Sequence, residues 1–118
     1  MDDAADDGAI KSAAVVLIEE ISAGDVGKSV RVTGRCVSTS EHLIIADGPA
    51  QLEVIADGSG QVRENDMVQY IGELAREEGE AEGRLVLKAR ALRNVDGIDL
   101  AMYKRAVAMR RKMLGTQH

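Results

Sequence analysis

From Val30 to Cys36 apolar and polar residues alternate. Val30, Val32, Gly34 and Cys36 fall on one side, and Arg31, Thr33 and Arg35 on the other, the pattern of a half-buried strand. Four more segments read as strands. Glu41 to Ala46, with Leu43-Ile44-Ile45, predicts a second, closed by the turn residues Asp47-Gly48-Pro49. Leu52, Val54 and Ala56 form one face of a third, which Asp57-Gly58-Ser59-Gly60 ends. Gln61 to Asp66 has room for a short helix. Met67 to Leu74 predicts a fourth strand, with Val68, Tyr70 and Leu74 on one face. Ala75 to Gly83, with Glu77-Glu78-Gly79-Glu80-Ala81-Glu82, reads as an exposed hairpin loop. Leu85, Leu87, Ala89 and Ala91 alternate with Lys88 and Arg90 in a fifth strand. Upstream, Val15-Val16-Leu17-Ile18 is a short apolar run able to start a strand. Ser22-Ala23-Gly24-Asp25-Val26-Gly27 is a turn cluster.

After a turn over Asn94 to Asp99, the period becomes helical from Leu100 to Leu114. Asp99 is placed as N-cap and Gly115 as the stop. The expected fold class is all-β with flanking helices. It is a single OB-fold, a five-stranded Greek-key barrel, with a C-terminal helix over about residues 99–114. Closure removes exposed strand edges. Gly34 and Gly72, inside strand patterns, mark bends or bulges. A small α+β sheet with a helix on one face is the alternative. Residues 1–11 are small and acidic and read as a disordered tail, with residues 12–118 as the one domain.

At about 100° per residue, Leu100, Tyr103, Val107 and Leu114 make one stripe of the helix. Met102, Ala106, Met109 and Met113 make a second beside it, with Arg110 between the two. Lys104, Arg105, Arg111 and Lys112 are assigned to the opposite side. The apolar arc covers roughly half the helix, wider than the ~100° that docking on one core needs. One stripe is expected to cover the barrel and the other to meet a partner, since methionine-rich faces adapt to partners. The alternative is deeper packing of the whole arc on the barrel. Arg110 is placed to pair with a partner carboxylate or to snorkel to water.

Charge and composition narrow the functions. The chain has 118 residues, 15 Lys plus Arg and 20 Asp plus Glu, for a net charge of −5. Residues 84–118 carry nine bases and two acids, whereas residues 41–83 carry two bases and eleven acids. There is no Trp or Phe and only two Tyr, so the stacking platforms of autonomous single-strand binders are scarce. No apolar run approaches 18 residues, so no membrane span is expected. The acidic N-terminus is unlike a signal or transit peptide. The single Cys36 cannot form an internal disulfide, suits a reducing compartment, and reads as a core thiol. Gly24-Asp25-Val26-Gly27-Lys28-Ser29 resembles the end of a phosphate-binding loop, but Ser22 stands where the first glycine is needed and a strand pattern follows. His42 is isolated. No metal, cofactor or catalytic constellation is expected, and an enzyme is not. Arg31 and Arg35 on one strand, and Lys88 and Arg90 on another, are the candidates for contact with a phosphate backbone. Ordinary solvated outward positions explain them as well.

Gly72-Glu73-Leu74, Leu87-Lys88-Ala89-Arg90 and Arg93-Asn94-Val95-Asp96-Gly97-Ile98-Asp99-Leu100, followed by a helix with Tyr103, resemble Ten. Ten is the smallest subunit of the CST (Ctc–Stn–Ten) telomere-capping complex. The likeness is best from Met67 to Leu114. Over Val15 to Asp66 it rests on strand order and on Val26-Gly27-Lys28-Ser29-Val30-Arg31-Val32-Thr33-Gly34-Arg35. Asp99-Leu100 with Tyr103 also resembles the small subunit of replication protein A. The acidic N-terminal tail and low aromatic content depart from Ten. The resemblance implies a single OB-fold that pairs through its C-terminal helix with an Stn-type OB-fold subunit. It also implies a Ctc-type large subunit, single-stranded telomeric DNA bound mainly within the complex, and a nuclear, telomeric location. C-strand fill-in would engage DNA polymerase α–primase indirectly. Carried onto this chain, partner contacts fall on Met102, Ala106, Met109 and Met113, and DNA contacts on Arg31, Arg35, Lys88 and Arg90. A protein-scaffolding OB domain without DNA contact is the other class of function.

Overall fold

The alternating residues of the first long strand turn their apolar side inward, as their period requires. The structure, a computed structural model, describes residues 13–56, 61–77 and 83–115. The tail assigned to residues 1–11, the turn at 57–60 and the acidic loop residues 78–82 lie outside the described residues. The strands are β1 (Ala14–Val15), β2 (Ser29–Ser38), β3 (Leu43–Asp47), β4 (Ala50–Ile55), β5 (Met67–Glu77) and β6 (Arg84–Asn94), followed by helix α1 (Leu100–Gly115). They run in the order β1-β2-β3-β4-β6-β5, and an additional β2–β5 pairing closes the barrel. This is the five-stranded OB topology, β2 to β6, with β1 added in parallel to β2 at Val30 and Arg31.

Val30, Val32, Ile45, Leu52, Val54, Val68, Tyr70, Leu74 and Leu87 fill the barrel, each at most 4% exposed. Ile18 joins them from a single 3₁₀ turn, Ile18–Glu20. The apolar run Val15 to Ile18 therefore gives only a two-residue strand before it turns in to plug the barrel. Cys36 is fully buried, and burial pushes its thiol pKa up.

Several expectations change at the ends of elements. The short helix over Gln61 to Asp66 does not form. Asn65 has φ 79°, which a right-handed helix cannot hold. The Asp66 carboxylate accepts the Arg63 N–H at 2.9 Å, and Asn65 N–H and Asp66 C=O bond the backbone of Cys36. This segment is a turn tied to β2. The hairpin loop is shorter than the polar stretch Ala75 to Gly83, because the β5–β6 ladder continues to Glu77↔Arg84. A ribbon reaching past the barrel can be polar on both faces. The fifth strand changes face at a bulge, where Gly72 pairs Ala89 but Ile71 pairs Ala91. Arg90 is the extra residue, so Ala91 is exposed and Leu92 half-buried. Thr33, on the outward side, is nonetheless 4% exposed and accepts a hydrogen bond from Gln69 at 3.0 Å.

At Gly72 the backbone of β5 leaves no room for a side chain against β6. A Cβ there would lie 2.3 Å from the Lys88 carbonyl oxygen and 2.8 Å from Ala89 Cα. At Gly34 a Cβ would meet Ile18 Cδ1 at 2.9 Å and the Ala46 carbonyl oxygen at 3.0 Å. The obstacle at Gly72 is backbone, which cannot rotate away. Gly72→Ala is expected to lower stability by about 1–3 kcal/mol, read as a fall in the thermal midpoint. Gly24→Ala, whose Cβ would have only Ser22 Oγ at 3.9 Å, should leave the midpoint within a degree or two.

Candidate partner and nucleic-acid interfaces

The helix is launched from a turn anchored to β5. Met67 N–H donates to Asp96 Oδ1 at 2.8 Å, and Val95 N–H to the Met67 carbonyl at 2.8 Å. Gly97 supplies φ +94°, which a side chain would resist. Asp99 Oδ1 accepts the Met102 N–H at 3.1 Å, so Asp99 is the N-cap. Val107 is buried, and Leu100 and Tyr103 are half-buried. Leu114, assigned to the same stripe, is 47% exposed.

Charges complete the attachment. Lys104 bridges Glu19 at 3.1 Å and Asp47 at 3.0 Å, and these partners raise its pKa. Arg111 binds both carboxylate oxygens of Glu20, at 2.5 and 3.0 Å, and the Val15 carbonyl at 2.6 Å. Its guanidinium holds the Glu20 carboxyl below the ordinary carboxylate value. Lys104 and Arg111 therefore stand on the barrel side of α1, not opposite it. At about 100° per residue they fall roughly 40° and 20° from Leu100. Arg105 and Lys112 are exposed.

The second stripe is exposed. Met102 is 59%, Met109 67% and Met113 70% exposed, and Ala106 and Arg110 are exposed too. Beside it a groove of about 580 Å³ runs between the helix and the barrel, lined by Arg31, Gln69, Tyr103, Val107, Arg110 and Arg111. Arg31 Nε is buried there without a hydrogen-bond partner.

The four strand cations do not form one row. Arg31 belongs to the helix groove. Lys88 is exposed and sits opposite Glu73, which in turn pairs Ser29. Arg90 donates to Ser29 Oγ at 2.8 Å, so Lys88 and Arg90 cluster at that end of β2. Arg35 is exposed, six residues along β2 from Ser29 and thus about 20 Å away. The structure also has a second groove, of about 360 Å³, that the one-face-at-a-time reading of strands misses. Leu43, Ile55, Val62, Tyr70, Ala89 and Arg90 are among its lining residues. At its mouth Glu53 holds Arg84 at 2.7 and 3.1 Å and His42 Nδ1 at 3.0 Å. Arg84, more than His42, keeps the Glu53 carboxyl low. Tyr70 lies at 1% exposure, and burial pushes its phenol up to about 12. Among the described residues no His, Cys, Asp and Glu cluster is placed to hold a metal, and no helix is long and apolar enough to cross a membrane.

The sequence model of a family described as telomere-capping CST complex subunits matches residues 9–117. The chain belongs to this family. It is also 36% identical over 94 residues to the CST complex subunit TEN1 of Arabidopsis thaliana, covering 75% of this chain and 72% of that one. This telomere-capping family is one of complex subunits rather than enzymes. Solved structures agree on the OB-fold. The S. pombe Stn1–Ten1 complex superposes with TM-score 0.67 at 21% identity, over 86% of this chain and 93% of that one. S. pombe Ten1 gives 0.68 at 21% identity, over 86% and 99%. U. maydis replication protein A bound to single-stranded DNA gives 0.65 at 16%, over 83% and 88%.

The Glu20–Arg111 pair makes the helix attachment pH-dependent. A carboxyl whose folded pKa is lowered adds stability in full above its unfolded pKa, and loses it as pH falls through the folded value. Glu20 is 38% exposed at its side chain, so screening holds the contribution to about 0.5 kcal/mol. Glu20→Gln should lower stability by about that amount at pH 7. In urea titrations the difference from wild type should shrink as pH falls below the ordinary carboxylate range.

Proposed function

We propose that this subunit heterodimerises with an Stn-type OB-fold protein through the outward face of α1. The observation that carries the reading is the row Met102, Met109 and Met113 at 59–70% exposure on a helix whose other side already holds the barrel. Each such side chain contributes roughly 1.5–3 kcal/mol when buried, and Ala106 leaves room for close approach of a facing helix. Arg110 stands at the edge of the row. Arg31 is assigned to the same surface, because it lies in the adjoining groove with an unsatisfied Nε. A solved relative described as an Stn1–Ten1 complex supports the pairing.

Within that dimer, and with a Ctc-type large subunit, the chain supports binding of single-stranded telomeric DNA, telomere capping and C-strand fill-in in the nucleus. DNA polymerase α–primase is reached through the complex. Lys88 and Arg90 form the small basic cluster available to DNA. Glu73 opposite Lys88 and the two buried or half-buried tyrosines make it a weak site alone. A small replication protein A subunit is the reading that purification of the native partner separates from this one.

Met109→Glu with Met113→Glu should keep the melting curve of the isolated chain but lose the Stn-type partner in a pull-down. Retained binding overturns the helix interface, and loss of the fold favours packing of these residues on the barrel. In the assembled complex, Lys88→Glu should weaken DNA binding about two- to tenfold and flatten its salt dependence by about one unit of slope. If fluorescence anisotropy across salt gives the wild-type line for both Lys88→Glu and Arg90→Glu, the subunit is a protein scaffold without DNA contact.

A further inference from the structure

In an OB-fold the second and third barrel strands, with the loops beside them, form the usual face for an oligonucleotide. In this chain those strands are β3 (Leu43–Asp47) and β4 (Ala50–Ile55), and neither holds a lysine or an arginine. The connection from β2 to β3 brings Glu41 and His42, and the connection from β5 to β6 brings Glu78, Glu80 and Glu82. Lys104 and Arg84, which reach this face from α1 and β6, are bound to Asp47 and Glu53. Arg35 stands at its border, where β2 pairs both Ala46 and Met67. A phosphate backbone laid on this face would meet mostly carboxylates, which repel it.

Cations gather on the other half of the barrel. Ladder pairing across β2, β5 and β6 sets outward residues in three rows: Ser29, Glu73 and Lys88; Arg31, Ile71 and Ala91; Thr33, Gln69 and Arg93. Successive rows lie about 7 Å apart along a strand, and β2 lies about 10 Å from β6 across β5. Arg90, in the bulge, reaches the first row at Ser29 Oγ, 2.8 Å away. Every row thus carries a cation, and Glu73 is the acid among them. Arg31 and Arg93 line one cavity of about 210 Å³, together with Gln69, Ile71, Ala91 and Leu92. Arg31 Nε is buried and has no hydrogen-bond partner among the described residues. Such a donor calls for an acceptor, and two guanidiniums beside one cavity suit an oxyanion that can take forked hydrogen bonds.

We infer that single-stranded nucleic acid crosses this chain on the β2–β5–β6 side of the barrel, with one phosphate held between Arg31 and Arg93 and its neighbours over Lys88 and Arg90. The inference rests on the reading above that the subunit supports DNA binding within its complex. It adds the face that the strand takes and a contact residue, Arg93. Arg31 also lines the groove between the helix and the barrel. A strand held by phosphate contacts on this path therefore continues beside the helix whose outward face meets the partner.

The test measures binding of oligothymidine to the assembled complex by fluorescence anisotropy across salt, and the affinity of each variant for the Stn-type partner. Arg93→Glu and Ala91→Glu, both at exposed positions, should each weaken DNA binding about two- to tenfold and leave partner affinity unchanged. Gln51→Glu, exposed on β4, should change neither. With this chain isotopically labelled in the wild-type complex, oligothymidine should shift the amide resonances of residues 29–33, 69–71 and 88–93 more than those of residues 43–55. This last measurement needs no variant to fold. Wild-type DNA affinity in Arg93→Glu and Ala91→Glu, with Lys88→Glu weakened, overturns the path but leaves the subunit's part in DNA binding standing. Wild-type affinity in all three removes both. Weaker DNA binding in Gln51→Glu, or shifts confined to residues 43–55, puts the strand on the β3–β4 face and overturns the inference. A loss of partner affinity in Arg93→Glu gives the cavity to a partner carboxylate and overturns it as well.

Discussion

The ribbon of β5 and β6 is pinned by one close backbone approach. At Gly72 the chain of β5 passes the Lys88 carbonyl so tightly that a methyl group would sit 2.3 Å from its oxygen. The bulge beside it lets one long ribbon serve two partners. Below the bulge β6 meets β4 at Val86–Lys88, and β5 meets β2 at Ser29–Arg35 while staying paired with β6 to Asn94. Without that bend a flat ribbon could satisfy one seam but not both. The same bend opens the groove over Tyr70 and carries the end of β6 to the Asp96 turn from which the helix starts.

The helix is then held by a narrow apolar strip and a set of ion pairs beside it. Val107 is its one buried apolar residue among those described, and Lys104 and Arg111 reach three carboxylates and a main-chain carbonyl. Acidic residues of the N-terminal 3₁₀ turn and basic residues of the C-terminal helix are thereby brought together. Some of the charge that separates the acidic and basic ends of the sequence is thus neutralised in a single contact. This attachment uses a narrow strip of the helix and leaves its methionine face outward.

Strands were legible in the sequence where one side faces the core. Val30, Val32, Cys36, Val68, Tyr70 and Leu74 all turn inward as their period of two requires. Gly72 signalled the bulge it adjoins, whereas the irregularity on β2 falls after Cys36 rather than at Gly34; Asp99 signalled its cap. Ends were not legible when long-range pairing overrode local polarity. Arg76 and Glu77 are polar yet lie in a ladder, because a two-stranded ribbon needs no buried face. The bulge at Arg90 shifted the inward position from Ala91 to Leu92, and no single-strand pattern carries that information. For the surfaces, the Met102–Met109–Met113 row could be read from helical spacing. The grouping of Arg31 with Arg110 could not, since it depends on where the helix lies across β2. Treating charge as evidence of solvent misplaces Lys104 and Arg111, because long basic side chains can reach from an apolar edge to an acid.

Cys36 gives the barrel an internal clock. Its sulfur is fully buried on β2, its thiol is held protonated by its surroundings, and its backbone is clamped to Asn65 and Asp66. Alkylating reagents attack the thiolate, so they must wait until the barrel opens around β2. With one cysteine in the chain, the labelling rate counts the openings of the barrel that expose β2. A partner seated on the helix would reveal how far its binding stiffens the barrel by how much it slows this one reaction.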